Sequence, residues 1–307
     1  MNTENKKTDE HFHMGKEYEK YSSSQKAIGR ILLESLVEYA KLYLKESNEF
    51  SVVDLACGPG NLSIGIKQRL EKEYLNTKIN MTGLDYTEDN VKLLIDGSKN
   101  SIKGVVGSFF ELPLEPESMD IITSNEGLHW QPPYKMDEII YSHLSGQEKE
   151  KYKSWAIGNF TKAIQNIYRV LKKDGIVVVQ FGHEGQLQKL WDLIQEVLNE
   201  AKFQKYKAKI NFPLYYPAED EIIHAFVQAG FNKGKIEKKS FNQELTEDNP
   251  KDITGFLRAF TKPGFKAFFA SEDLKLFYST VRNKLSQMDL NEFRKDQWHR
   301  TLIKVRK

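Results

Sequence analysis

The sequence predicts an open α/β fold: a doubly wound, mostly parallel sheet with helices on both faces and a helical cap. Three observations carry this. Short apolar segments alternate with amphipathic helical ones through the first 182 residues. Residues 176–181 are apolar at nearly every position, as strands covered on both faces are. Strands separated by helices pair in parallel through right-handed crossovers.

In order, residues 25–46 place Ile28, Ile31, Leu32, Leu36, Tyr39, Ala40 and Tyr43 at helical spacing, predicting an amphipathic helix. Residues 51–55 form a strand running into Gly58-Pro59-Gly60, and Leu62, Ile66, Leu70 and Tyr74 mark the helix that follows. Residues 78–84 are a second strand, 89–97 a helix and 102–106 a third strand. A fourth strand covers 119–124, a helix 162–172, and a fifth strand 176–181 after the Lys173-Asp174-Gly175 turn. Beyond Gly182 the pattern turns helical: 187–202, 220–229, 252–270 (broken at Pro263-Gly264) and 272–288. A strand with a turn is expected over 233–245 and a final strand over 298–305, so the helices between them should cap the sheet's edge.

The chain has 307 residues, 39% hydrophobic and 29% charged, which describes a globular protein with a substantial core. No run approaches the roughly 18 apolar residues of a membrane span, the first ten residues lack a signal-like apolar core, and Cys57 is the sole cysteine. A cytoplasmic location without disulfides is expected. The net charge of +2 argues against a nucleic-acid partner. From residue 201 onward, 21 Lys and Arg face 13 Asp and Glu, which reads as a lysine-rich solvated surface, with attraction of an anionic substrate or of an RNA backbone as the alternative.

Chemistry concentrates in Val52-Val53-Asp54-Leu55-Ala56-Cys57-Gly58-Pro59-Gly60-Asn61-Leu62-Ser63, a strand, a glycine turn and a helix start in succession. Glycines there let a backbone approach a ligand closely, at the strand end where such sheets bind ligands. A second acid, Asp85, ends the next strand and can take both hydroxyls of a ribose. A dinucleotide site would want a third glycine where Ser63 stands, and would not require Asp54 beside the loop. The acid suits a cationic amino-acid moiety better than a pyrophosphate.

These residues, with Gly107-Ser108-Phe109-Phe110-Glu111-Leu112-Pro113 and Leu171-Lys172-Lys173-Asp174-Gly175, resemble the class I S-adenosylmethionine-dependent methyltransferases over residues 18–182. The resemblance implies a seven-stranded Rossmann-like sheet and S-adenosylmethionine as cofactor, leaving as S-adenosylhomocysteine, without a metal. It implies that Asp54, Ala56, Asn61 and the backbone of Gly58 and Gly60 face the methionine portion. Asp85 would hold the ribose, Tyr86 would lie beside the adenine, and Ser108 and Phe109 would line the adenine pocket. Serine stands at 108 where the family usually has an acid. Three divisions are expected: residues 1–22 as a tail covering the cofactor, 23–184 as the binding core with a lid insertion over 131–160, and 185–307 as helical cap plus closing strands.

After the fourth strand comes Ser124-Asn125-Glu126-Gly127-Leu128-His129-Trp130-Gln131. Its Asn-x-x-Leu-His-Trp pattern is similar to the subgroup containing trans-aconitate, malonyl-carrier and juvenile hormone acid methyltransferases, which mostly methylate carboxylates. By that resemblance Asn125 borders the cofactor, Tyr18 and Tyr21 fold over it, and Gln25 and Trp130 hold the acceptor carboxylate. The partner is then a small or medium-sized acceptor, free or carrier-bound. A carboxylate is already ionised at neutral pH and needs no base; a hydroxyl, phenol or amine acceptor would call on His129 as base. A cofactor-binding partner protein without chemistry is the alternative from another class. Tyr134, Tyr141 and Trp155 are candidate acceptor walls in the insertion. Pro132-Pro133-Tyr134 imitates an amino-methyltransferase motif but lies eight residues beyond Ser124, too far from the strand end. His11 and His13 lie in the polar tail with no cysteine and only Asp9 and Glu10 beside them, and are not read as a metal pair.

Overall fold

The computed structural model describes residues 23–131, 146–207, 214–266 and 269–307. Its elements are α1 (Ser23–Tyr43), β1 (Glu49–Leu55), α2 (Asn61–Glu73), β2 (Lys78–Asp85), α3 (Glu88–Gly97), β3 (Lys103–Val106), β4 (Met119–Asn125), α4 (Gly146–Val170) and β5 (Leu171–Gly182). They continue through α5 (Gln188–Leu198), α6 (Gln204–Lys207), α7 (Glu219–Ala229), a 3₁₀ turn (Lys233–Lys235), β6 (Glu237–Gln243), α8 (Pro250–Lys266), α9 (Ser271–Leu285), α10 (Leu290–Arg294) and β7 (Trp298–Arg306).

The seven strands form one sheet in the order β3-β2-β1-β4-β5-β7-β6. β1 to β5 pair in parallel, while β7 runs antiparallel to both of its neighbours. Alternate side chains of each strand supply two cores. Val53, Leu55, Ile122, Val177, Val179 and Ile303 meet α4 and α7 on one face. Val52, Ile121, Ile176, Val178 and Leu302 meet α1, α2 and α3 on the other. A central strand with both faces covered must be apolar at successive positions, which is why β5 reads as it does.

A third cluster unites α5, α8 and α9 with Ile28 of α1, Leu187 after β5 and Trp298 at the start of β7. Those last three lie where the parallel strands end, so the cap sits over the carboxyl ends of the sheet rather than over its edge. α8 also runs through Pro263 to Lys266 without a break. Phe265, fully buried against Phe277 in the ring cluster, anchors that last turn and offsets the hydrogen bond a proline removes.

The second half of the expected insertion is helix. α4 begins at Gly146, sixteen residues before the expected start at 162, and Tyr152, Ala156, Phe160, Ala163 and Ile167 are buried along one stripe. The Lys173-Asp174-Gly175 turn lies inside β5 as an irregularity: pairing with β4 jumps from Met119↔Leu171 to Ile121↔Ile176, and Asp174 has φ +65°.

Candidate functional site

The chain leaves β1 through three residues of positive φ: Ala56 (+55°), Gly58 (+54°) and Gly60 (+87°). α2 starts at once, with Ile64 N donating to the Gly60 carbonyl at 2.9 Å. A Cβ on Gly60 would come within 2.2 Å of Leu94 Cδ1 and 3.1 Å of Leu94 Cα, so only glycine lets the turn lie against α3. At Gly58 a Cβ would meet nothing within 4 Å, and the main chain there faces open space.

Asp85 is bonded to the same turn. Its Oδ2 accepts from Gly58 N at 2.8 Å, while Oδ1 accepts from Thr87 N (3.0 Å), Thr87 Oγ1 (2.9 Å) and Asn90 Nδ2 (3.1 Å). Oδ1 is thereby saturated and Oδ2, with one donor, keeps acceptor capacity. Asp54 is 1% exposed and accepts from Ser63 Oγ at 2.6 Å. Burial pushes its carboxyl up to about 7, with Ser63 opposing and nearby Asp85 reinforcing the rise. Ser63, the residue that breaks a dinucleotide pattern, therefore has a positive task beside Asp54.

These groups line a cavity of about 420 Å³ under the cap. Asp54, Ala56, Gly58, Asn61, Asp85 and Tyr86 border it, as do Ser108, Phe109, Asn125, His129 and Trp130 from the ends of β3 and β4. Gly60 supports the turn but is not part of the wall. Trp155 is not among the residues lining this cavity: it packs with Tyr152, Ala156 and Tyr215. Tyr18, Tyr21, Tyr134 and Tyr141 lie outside the described residues, as do His11 and His13, and Gln25 is placed only as a residue of the first turn of α1.

His129 is 3% exposed, and its Nδ1 accepts from Gly182 N at 3.3 Å. An accepting Nδ1 carries no proton, so the neutral ring bears its hydrogen on Nε2. Burial, aided by the Arg300 guanidinium, pushes the imidazole down to about 3. His129 thus presents its Nε2–H as a hydrogen-bond donor at neutral pH.

The sequence reading missed a second wall: Glu126, Gln131, Gln186, Leu187, Tyr216 and Trp298 also line the cavity. Glu126 (φ +63°) pairs with Arg300, which is fully buried and stacks 4.0 Å from the Trp298 ring. The carboxyl of Glu126 is raised by burial, with Arg300 pulling against it. Burial and neighbouring Glu126 push the Tyr216 phenol up. Bonds from Tyr215 N to His129 O (2.8 Å) and a bridge between Trp130 and Leu214 hold this segment in place. Nothing local in the sequence marks Trp298 or Tyr216, because both reach the site through sheet and loop closure.

Among the described residues, no group of three or more His, Cys, Asp or Glu is placed to hold a metal ion, and no helix is long and apolar enough to cross a membrane.

A methyltransferase-domain family model matches residues 46–249, well over half of the sequence and spanning β1 to β6. The chain belongs to this methyltransferase family. No curated protein sequence matches it. Its fold is shared with a loganic acid methyltransferase solved with SAH, at 15% identity over 94% of each chain and a TM-score of 0.70. The YcgJ protein of Bacillus subtilis is similar at 16% identity, over 89% of this chain and 98% of that one, with a TM-score of 0.50. At such identities the likeness is one of architecture: the methyltransferase has the seven-stranded sheet of the Rossmann-like class, with β7 antiparallel.

Proposed function

We propose that this methyltransferase uses S-adenosylmethionine to methylate a carboxylate oxygen of a small or medium-sized acid. The observation that carries the reading is one cavity joining the glycine turn, Asp54 and Asp85 to the His129–Trp130 wall. The residues fit the donor. Gly58 leaves the backbone open, Asp54 offers an anion to a cationic amino acid, and Asp85 Oδ2 has capacity for a ribose hydroxyl. Tyr86, Ser108 and Phe109 would enclose the adenine, and Ala56, Asn61 and Asn125 the methionine side. Bound there, the donor supplies a methyl group activated on a sulfonium sulfur.

The chain must then align an ionised acid and exclude water from it. Trp130 and Gln25 are proposed to hold the acceptor carboxylate, and Tyr18 and Tyr21 to close over the donor. His129, neutral and protonated on Nε2, serves as a third donor without an ion pair that would blunt the nucleophile. The cap supplies apolar cover through Leu187 and Trp298.

Calorimetry tests the donor half. S-adenosylmethionine and S-adenosylhomocysteine should bind the wild type, and Asp85→Ala should abolish binding; a wild type that binds neither overturns the reading. A radiolabelled-methyl screen against organic acids and acyl carriers tests the acceptor half. The product of carboxylate methylation releases its label in mild alkali, whereas label that persists would mean an ether, amine or carbon product.

A further inference from the structure

Three residues of the cavity wall, from three distant stretches, carry buried polar groups that lack partners. Gln131, after β4, is 3% exposed, and neither its amide nitrogen nor its amide oxygen has a hydrogen-bond partner. Gln186, after β5, is 2% exposed and its Oε1 is unpartnered. Its side chain lies over Gly182, where an added Cβ would come within 2.8 Å of the Gln186 carboxamide carbon. Gly182 is also the residue whose N–H fixes His129. Trp298, at the start of β7, is 2% exposed and its Nε1 has no partner.

Buried polar groups are nearly always satisfied, and a cluster of exceptions around one cavity calls for a ligand. The unmet groups are of both kinds: donors on Gln131 and Trp298, acceptors on Gln131 and Gln186. A carboxylate only accepts, and an alkyl chain does neither. A hydroxyl does both, accepting from an unmet donor and giving its one proton to an unmet oxygen, so two hydroxyls supply a proton for each of the two amide oxygens. The neighbouring charges do not alter this choice, because Arg300 and Glu126 neutralise each other.

We propose that Gln131, Gln186 and Trp298 form a subsite for hydroxyl groups, so that the acceptor is a small hydroxylated acid rather than an apolar one. The proposal rests on the carboxylate reading above for the word acid, but the subsite itself does not. Apolar acids of the same skeleton leave the three side chains unpaired and are rejected, as sites built around a substrate hydroxyl reject its deoxy analogue.

The test uses the full chain loaded with S-adenosylhomocysteine and matched pairs: malate and succinate, mandelate and phenylacetate, quinate and cyclohexanecarboxylate, and the uncharged pair mandelamide and phenylacetamide. Apparent Kd is read by calorimetry or thermal shift. The wild type should favour the hydroxylated member of at least one pair by about 10-fold or more. Gln131→Leu and Gln186→Leu should each cut that preference to within about 3-fold, with S-adenosylhomocysteine affinity unchanged as the sign of an intact fold. Gln131→Asn, which keeps an amide, backs up Gln131→Leu should the latter fail to fold, and should retain part of the preference. The proposal is overturned by equal or weaker binding of the hydroxylated members, by no binding of any member, or by a preference that survives both leucine variants. If hydroxylated amides bind while no acid is methylated, the subsite stands and the carboxylate reading falls. If acids are methylated without regard to hydroxylation, the reverse holds.

Discussion

The backbone N–H of Gly182 donates to Nδ1 of His129 across 53 residues of sequence, joining the end of β5 to the loop after β4. That bond decides which nitrogen of the ring carries hydrogen, and so what the histidine can do.

With Nδ1 occupied and the ring pushed down to about 3, His129 does not titrate between pH 5.5 and 8.5. The turnover rate at saturating donor and acceptor should therefore be flat across that range. An ascending limb near the ordinary imidazole value would restore the base. His129→Phe removes the Nε2 donor and leaves Gly182 N unpaired. A lost donor to a charged acceptor is worth about 1.5–3 kcal/mol, or about 10–100-fold in kcat/KM.

Asp54 titrates near 7, and a cationic amino-acid moiety needs it ionised. Donor affinity should weaken below pH 7, by up to about tenfold per unit, with protons released on binding. Calorimetry in buffers of different ionisation heat measures both. Asp54→Asn should lose most of the affinity and all of this dependence.

The same residue sets a stability cost. Its folded value lies above the ordinary 3.8, so the fold prefers it protonated. The associated stability is present below pH 3.8 and is lost as pH rises through about 7. In the ligand-free protein, Asp54→Asn keeps an acceptor for Ser63 without the buried charge. Its Tm should exceed that of the wild type more at pH 8 than at pH 4. Thermal melts at the two values decide this.

Arg300 is fully buried and its counter-ion is Glu126. Arg300→Met alone leaves an uncompensated acid and should cost about 3–5 kcal/mol in urea denaturation. Adding Glu126→Gln removes that charge and should recover a large part of the loss. Equal losses in the single and double variants would mean that packing against Trp298, not charge, is what Arg300 contributes.

Gly60→Ala forces a side chain into positive φ and into Leu94. The backbone penalty is about 1–2 kcal/mol and the overpacking about 1–3 kcal/mol. Leu94→Ala in the same chain should relieve the second penalty only. Urea midpoints of the single and double variants separate the two.

Strands, crossover helices, the glycine turn and its two acids were legible because each is written in neighbouring residues. Alternating burial shows within six positions and a helical stripe within a dozen, so β1 to β5 and α1 to α3 could be read along the chain. Their boundaries were less so: α4 starts sixteen residues before its expected position because an apolar stripe such as Tyr152 to Phe160 fits a lid and a packed helix equally well until its burial is known.

The sequence by itself determined the sheet, the Asp54–Gly60 turn and the placement of Asp85 at the next strand end, since short-range periodicity and turn chemistry dictate them. Only the tertiary structure decided that His129 is a donor, that Arg300 answers Glu126, and that Gln131, Gln186 and Trp298 border one cavity. Those relationships join residues brought together by the antiparallel return of β7 and by the cap. Burial then fixes their protonation and pairing, and burial is a property of the folded chain that no local pattern records.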